Sequence, residues 1–206
     1  MLTIIKTGLS FGDLTSRQST KRIIVHHSAS PDVPAAVIHG WHIGRGWSGI
    51  GYHFVIRQNG DIEEGRPLEM IGAHAGSPGN TDSIGICLTG NFMDNQPDNR
   101  QMVALVKLVK YLRELYQSEL EVLRHKDINS TECPGELFPW PESNWPLSTG
   151  ENPEIWKKQL VDEALAKQLI NEKHNPDDPA DKWFVLAVGL NILKQFDLYT
   201  KKTIHK

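Results

Sequence analysis

The 206-residue chain predicts an α/β fold, a central mixed β-sheet flanked by helices, with a small helical segment at its C-terminal end. Three observations carry that expectation. Short runs rich in β-branched residues recur through the first two thirds of the chain, as in Arg22–His26 and Ser83–Thr89. Stretches with apolar residues at helical spacing stand between them, the longest from Met102 to Tyr116. Strands and helices therefore alternate, which is the pattern of the α/β class.

The elements follow in order. Residues 1–20 are mixed and polar, an extended lead-in or short edge element. Arg22–His26 reads as a buried strand that ends on histidines. A Ser30–Pro34 loop opens a helix marked by Val37, Ile38, Trp41 and His42. Glycines 44, 46, 49 and 51 make a loop around Trp47 that can approach a ligand closely. Gly51–Ile56 is a strand, Asn59-Gly60 a hairpin turn, and Asp61–Arg66 the return strand. After a glycine-rich loop at 72–80 come a central strand at 83–89 and a turn at 94–98. A helix of about five turns follows, with Met102, Leu105, Val106, Val109, Leu112, Leu115 and Tyr116 on one face. Leu120–Arg124 is a further strand that delivers His125. Ser148–Pro153 reads as a linker, so residues 1–147 and 148–206 are expected to be separate units. The second would hold two helices, from about 155 to 170 and from 183 to 196.

Composition excludes several classes. Hydrophobic residues at 39% and charged residues at 23% describe an ordinary globular chain, long enough to bury a core. A net charge of −3 provides no basic footprint for nucleic acid. The longest apolar stretch, Trp183–Leu193, falls short of the ~20 residues that span a bilayer, so membrane insertion is not expected. Two cysteines are too few for a disulfide framework. The first residues hold neither a long apolar run nor a small-residue cleavage site, the expectation being cytoplasmic synthesis without a signal peptide.

The Gly51–Ile56 strand carries two titratable side chains, Tyr52 and His53. Neighbours on a strand point to opposite faces, so one is expected in a cleft and the other to be buried or to share that cleft. His26 and His125 stand at strand ends, and Cys133 precedes a proline. A Cys-His-His set suits zinc, with the fourth tetrahedral position left to water. His74 lies inside the glycine-rich loop, a setting that suggests an exposed side chain facing a ligand. Cys87, mid-strand among apolar residues, reads as a buried structural thiol.

Five motifs then occur together: Val25-His26-His27-Ser28-Ala29, Gly51-Tyr52-His53-Phe54, Gly72-Ala73-His74-Ala75, Ser83-Ile84-Gly85-Ile86, and His125 followed eight positions later by Cys133-Pro134-Gly135. In this order, over about residues 22–140, they resemble the zinc-dependent N-acetylmuramoyl-L-alanine amidases. That family includes the phage lysozyme-type amidases and is similar to the peptidoglycan recognition proteins. The resemblance implies that His26, His125 and Cys133 hold a zinc ion that polarises the amide carbonyl between muramic acid and L-alanine and activates a water. Tyr52 would hydrogen-bond the attacking water or the developing oxyanion. Thr131 occupies the position of a second such group, where some members have lysine, so the positive charge is missing. His53 and His74 match positions that contact the muropeptide, and Asn80 would bind its peptide stem.

The implied partner is bacterial peptidoglycan, and the implied role that of a phage or prophage endolysin, which acts on the wall after release. Two alternatives stand beside it: a cytosolic muropeptide-recycling amidase, and a non-catalytic peptidoglycan-binding receptor of the same fold. Cys133 favours the enzyme, because non-catalytic recognition proteins usually lack that ligand. The C-terminal segment would either bind the cell wall or pack on the catalytic unit.

Overall fold

Five strands, β1 (Arg22–His27), β2 (Phe54–Ile56), β3 (Ile62–Glu64), β4 (Ser83–Leu88) and β5 (Glu121–Arg124), form one mixed sheet in the order β3-β2-β4-β1-β5. β1 runs parallel to both β4 and β5, β2 runs parallel to β4, and only the β2–β3 pair is antiparallel. The helices are α1 (Ala35–Gly44), the short, kinked α2 (Gly76–Gly79), in which Ser77 is extended, and α3 (Asn99–Tyr116). This computed structural model describes residues 2–140 and residue 170. The chain divides into two compact units, residues 1–149 and 150–206. The expected linker and C-terminal helices lie outside the described residues. Among the described residues no helix is long and apolar enough to cross a membrane.

Parallel strands covered on both faces need apolar residues without interruption, and β1 and β4 have them: Ile23, Ile24 and Val25 are fully buried, as is every residue of β4. The pleat divides these residues between two faces. Ile23, Val25, Phe54, Ile56, Ile84, Ile86 and Leu88 pack with Ala104, Leu105, Leu108, Val109 and Leu112 of α3 in the larger core. Val55 and Cys87, at alternate positions, pack with Ala35 and Ile38 of α1 and with Ile50 in a smaller one. The site lies on this second face.

α3 starts with a capping box. The Asp98 side chain accepts from the Arg100 amide, and the Gln101 side-chain Oε1 accepts from the Asp98 amide. Gln101 is fully buried, and its amide donates to the carbonyls of Ile56 and Thr89, so the first turn of α3 is tied to the sheet. The buried stripe departs from the expected one. Val106 and Leu115 are exposed, and Ala104 and Leu108 take part instead, because Val106 falls about 100° around the helix from Leu105. α1 departs in the same way: it buries Ala35, Ile38 and His42, while Val37 and Trp41 face outward.

The expected strand from Gly51 becomes regular only at Phe54. Tyr52 and His53 keep sheet-like backbone bonds, with His53 N–H donating to Gly85 (2.9 Å) and the Tyr52 carbonyl accepting from Arg66 (2.8 Å), but the chain bends at residues 51 and 53. A Cβ at Gly51 would lie 2.0 Å from the Ala73 carbonyl oxygen, so only glycine lets these two backbones meet. The lead-in does act as an edge, bridging Ile5 to Glu63 and Ser16 to Met70.

Candidate metal centre

β1 and β5 are parallel neighbours, so their C-terminal ends lie side by side. His26 stands on β1 near its end, and His125 follows β5 directly, opening a short 3-10 turn (His125–Asp127). Topology alone thus brings two histidines 99 positions apart to a ring separation of 4.5 Å. Cys133 arrives on the loop that follows. Its carbonyl accepts from the Lys126 amide (2.9 Å), and Gly135 fits against the Phe92 backbone with no room for a side chain. The Cys133 Sγ lies 3.8 Å from His26 Nδ1 and accepts from the His27 amide at 3.4 Å. One donor atom from each of His26, His125 and Cys133 falls within a common 4.8 Å.

These atoms fit a tetrahedral dication. Bond lengths of about 2.3 Å to sulfur and 2.0–2.1 Å to nitrogen imply donor separations near ~3.5 Å, close to the sulfur–nitrogen distance seen. The electrostatics agree. Burial holds His26 well below the ordinary histidine range, and the neighbouring His125 and His27 push it the same way. Burial also lowers His125. Both imidazoles are therefore neutral at pH 7, with lone pairs available. Burial pushes the Cys133 thiol up to about 11, opposed by the His27 N–H. Such a thiol gives up its proton when a cation takes its place.

The Tyr52 ring lies 5.1 Å from that of His26, beside the cluster. Burial raises its phenol well above the ordinary value, and the sulfurs of Cys87 and Cys133 add to the effect, so the hydroxyl stays protonated as a donor. Thr131 Oγ1 accepts from the Cys133 amide at 3.3 Å, which keeps the hydroxyl in the Cys133 loop. Cys87 is fully buried on β4, in register with His26, as a structural thiol would be.

The three expected substrate contacts are placed differently. His53 is fully buried with both ring nitrogens engaged: Nδ1 accepts from the Gly85 amide (2.9 Å), so Nε2 carries the hydrogen and donates to the Met70 carbonyl (2.9 Å). It is a structural histidine in this conformation. His74 is buried too, its Nδ1 only 3.0 Å from His26 Nε2. The glycines around it do not expose it; they make space for its ring. Asn80 turns its side-chain oxygen back onto the amides of His74 (2.9 Å) and Ala75 (2.7 Å), bracing the loop. Of the two expected outcomes for the second side chain, the rings fit the shared one, since those of both Tyr52 and His53 lie within about 6 Å of His74. The bend before β2 cancels the alternation that a regular strand would impose.

Sequence reasoning missed two partners. Asn129 Nδ2 lies 2.9 Å from His125 Nε2 and donates to the Ala75 carbonyl, joining the His125 turn to the His74 loop. Ser83 Oγ lies 3.4 Å from His74 Nε2. A glycine inside an otherwise apolar strand, Gly85, was the available signal, because such a glycine marks close approach by another group.

Comparison with known proteins matches residues 16–136 to the family model described as N-acetylmuramoyl-L-alanine amidase. The endolysin of Klebsiella phage KP32 is 36% identical over 139 residues, covering 63% of this chain and 91% of that protein. Among solved structures, N-acetylmuramoyl-L-alanine amidase LysC from Clostridium intestinale is 37% identical. It has a TM-score of 0.64 and covers 66% of this chain and 91% of its own. Peptidoglycan recognition protein-LE in complex with tracheal cytotoxin, a monomeric diaminopimelic acid-type peptidoglycan, is 25% identical. Its TM-score is 0.61, covering 69% and 96% of the two chains.

Proposed function

We propose, from the premise that the chain belongs to the N-acetylmuramoyl-L-alanine amidase family, that it hydrolyses the amide bond between N-acetylmuramic acid and L-alanine in bacterial peptidoglycan. The observation that carries the reading is the convergence of His26, His125 and Cys133 beside Tyr52. These three residues would hold a zinc ion. Bound there, zinc supplies Lewis-acid activation of the scissile carbonyl and of the attacking water.

The chain's own groups do the rest. The neutral imidazoles keep the ligand positions unprotonated at working pH. Tyr52, held protonated by burial, donates to the oxygen on which charge develops; one such donor is worth about 10²–10³ in rate. Thr131, fixed by the Cys133 amide, offers a second donor that is neutral. Asn80 braces the loop that borders the centre through its side-chain oxygen, and its side-chain nitrogen would contact the peptide stem. Water adds to the carbonyl carbon, the C–N bond breaks, and the products are a muramic carboxylate and a free L-alanine amine.

The catalytic unit in this reading spans residues 1–147. Residues 148–206 act in this reading as a wall-binding segment. Likeness to phage endolysins supports the same role here: synthesis in the cytoplasm and action on the wall after release. Zinc-loaded full-length protein is expected to free peptide stems with new L-alanine amino groups from purified sacculi, and faster than from small soluble muropeptides. A chain with stoichiometric zinc that frees none would end the enzyme reading. Preference for the soluble fragments would turn the role towards recycling.

A further inference from the structure

We infer that His74 is a positioning residue for the metal centre: it accepts a hydrogen bond from His26 Nε2–H and so fixes His26 in the tautomer that presents Nδ1 to the metal. This rests on the metal-centre reading and adds a residue to it. The direction of each bond follows from the contacts. His26 Nδ1 faces the Cys133 sulfur, so it is the ligand atom and must carry a lone pair. A neutral imidazole then has its hydrogen on Nε2. His26 is 1% exposed, so water does not reach that hydrogen, and the partner in reach is His74 Nδ1 at 3.0 Å. The opposite polarity would place the hydrogen on His26 Nδ1 and block the ligand position.

The chain of bonds continues outward with one consistent sense. With Nδ1 accepting, His74 carries its hydrogen on Nε2, which points at Ser83 Oγ at 3.4 Å. Ser83 in turn donates its own hydrogen to the Gly79 carbonyl at 2.6 Å. Each donor therefore has one acceptor, from the ligand histidine to a backbone carbonyl. The ring is also held in place. A Cβ at either Gly72 or Gly85 would lie 2.4 Å from His74 Cδ2, so these two glycines form a slot whose width suits an imidazole. Asn80 pins the backbone that delivers it.

Ligand histidines whose second nitrogen loses its partner typically lose 10–100-fold in metal affinity. The test is zinc affinity by competition with a chromogenic chelator on the full chain, with thermal unfolding of the metal-free forms alongside. His74→Phe keeps a ring in the slot but removes the acceptor, and is expected to bind zinc about 10–100-fold more weakly. His74→Asn places an amide oxygen near the Nδ1 position and is expected to recover most of that loss. Ser83→Ala, at the outer end, is expected to lose less than His74→Phe. With cobalt in place of zinc, the visible absorption of the Phe variant is expected to shift from that of the parent.

Wild-type affinity in His74→Phe would overturn the inference, and so would equal weakness in the Phe and Asn variants, since packing alone would then explain both. Should His74→Phe fail to fold, Ser83→Ala decides, and unchanged affinity there overturns it. A parent chain that binds no zinc would instead overturn the metal centre itself.

Discussion

The two faces of the sheet are built from the same strands, yet they hold the protein together in different ways. Val25 and His26 are consecutive: Val25 joins the core under α3, and His26 turns to the cluster with His125 and Cys133. On the α3 face a single apolar cluster brings together Ile23 and Val25 of β1, Phe54 and Ile56 of β2, and Ile84, Ile86 and Leu88 of β4. On the other face the apolar cluster is small, and His26, His53, His74 and Ser83 fill the space with hydrogen-bonded polar groups, every one buried. Apolar contacts are many and interchangeable, so the first face tolerates variation in detail. A buried polar group tolerates little, because an unmet donor or acceptor costs about 1–3 kcal/mol. Stability is thus concentrated on one face and chemistry on the other, one residue apart.

The sharpest test of that division is Cys133→Ser. It is expected to abolish amidase activity and to cost more than the ~10–100-fold in zinc affinity typical of an outer partner, while the metal-free melting temperature stays near the parent value. Retained activity would break the ligand assignment. Leu108→Ala is the opposite probe, in the middle of the α3 face and fully buried. It is expected to cost about 2–5 kcal/mol in urea unfolding and leave the zinc affinity of the folded protein unchanged. A large change in zinc binding would show that the two faces are coupled.

Tyr52→Phe comes next. It is expected to lower kcat by about 10²–10³ with zinc stoichiometry intact, measured by release of stem peptides. A smaller and separable effect is set by pH. Burial pushes His53 down to about 3 from 6.5, so between those values the unfolded chain binds more protons than the folded one. Stability therefore rises with pH through that window and is lost as pH falls from 6.5 towards 3, by about 1.4 kcal/mol per pH unit for this residue. His42, pushed down to about 4 mainly by burial, acts in the same direction. Asp32, held at about 2 chiefly by Arg57, loses its contribution only below its ordinary 3.8, so its effect meets that of the histidines only at the acid end of their range. A melting temperature that stays flat from pH 6.5 to 4.5 in chelator-treated protein would show that these histidines are not buried as neutral groups.

Much of the fold was legible because it rests on periodicity. The runs at 22–26 and 83–89, the Asn59-Gly60 turn and the helix before Tyr116 all appear where their patterns place them. The errors come from the edges of those patterns. Val106 and Leu115 are apolar but fall off the buried stripe, and Trp41 is exposed although it shares a helix with Ile38. The site was legible in part for another reason. His26, His125 and Cys133 carry a recognisable set of donor types at strand ends and beside a proline, and the structure gathers them. The role of His74 was hidden because glycine-rich surroundings read as an open loop. A burial slot and an exposed loop use the same residues.

By itself, then, the sequence determined which segments become strands and helices, which residues are chemically fit to hold a metal, and, through five motifs in order, the family. Those properties are local or additive, and survive without knowing what lies opposite. Only the tertiary structure decided that His53 is sealed behind Gly85 and Met70, and that His74 stands behind His26 with its nitrogen 3.0 Å away. The direction of a hydrogen bond between residues 48 positions apart depends on which strands are neighbours and on where the chain bends before β2. No spacing along the chain encodes either.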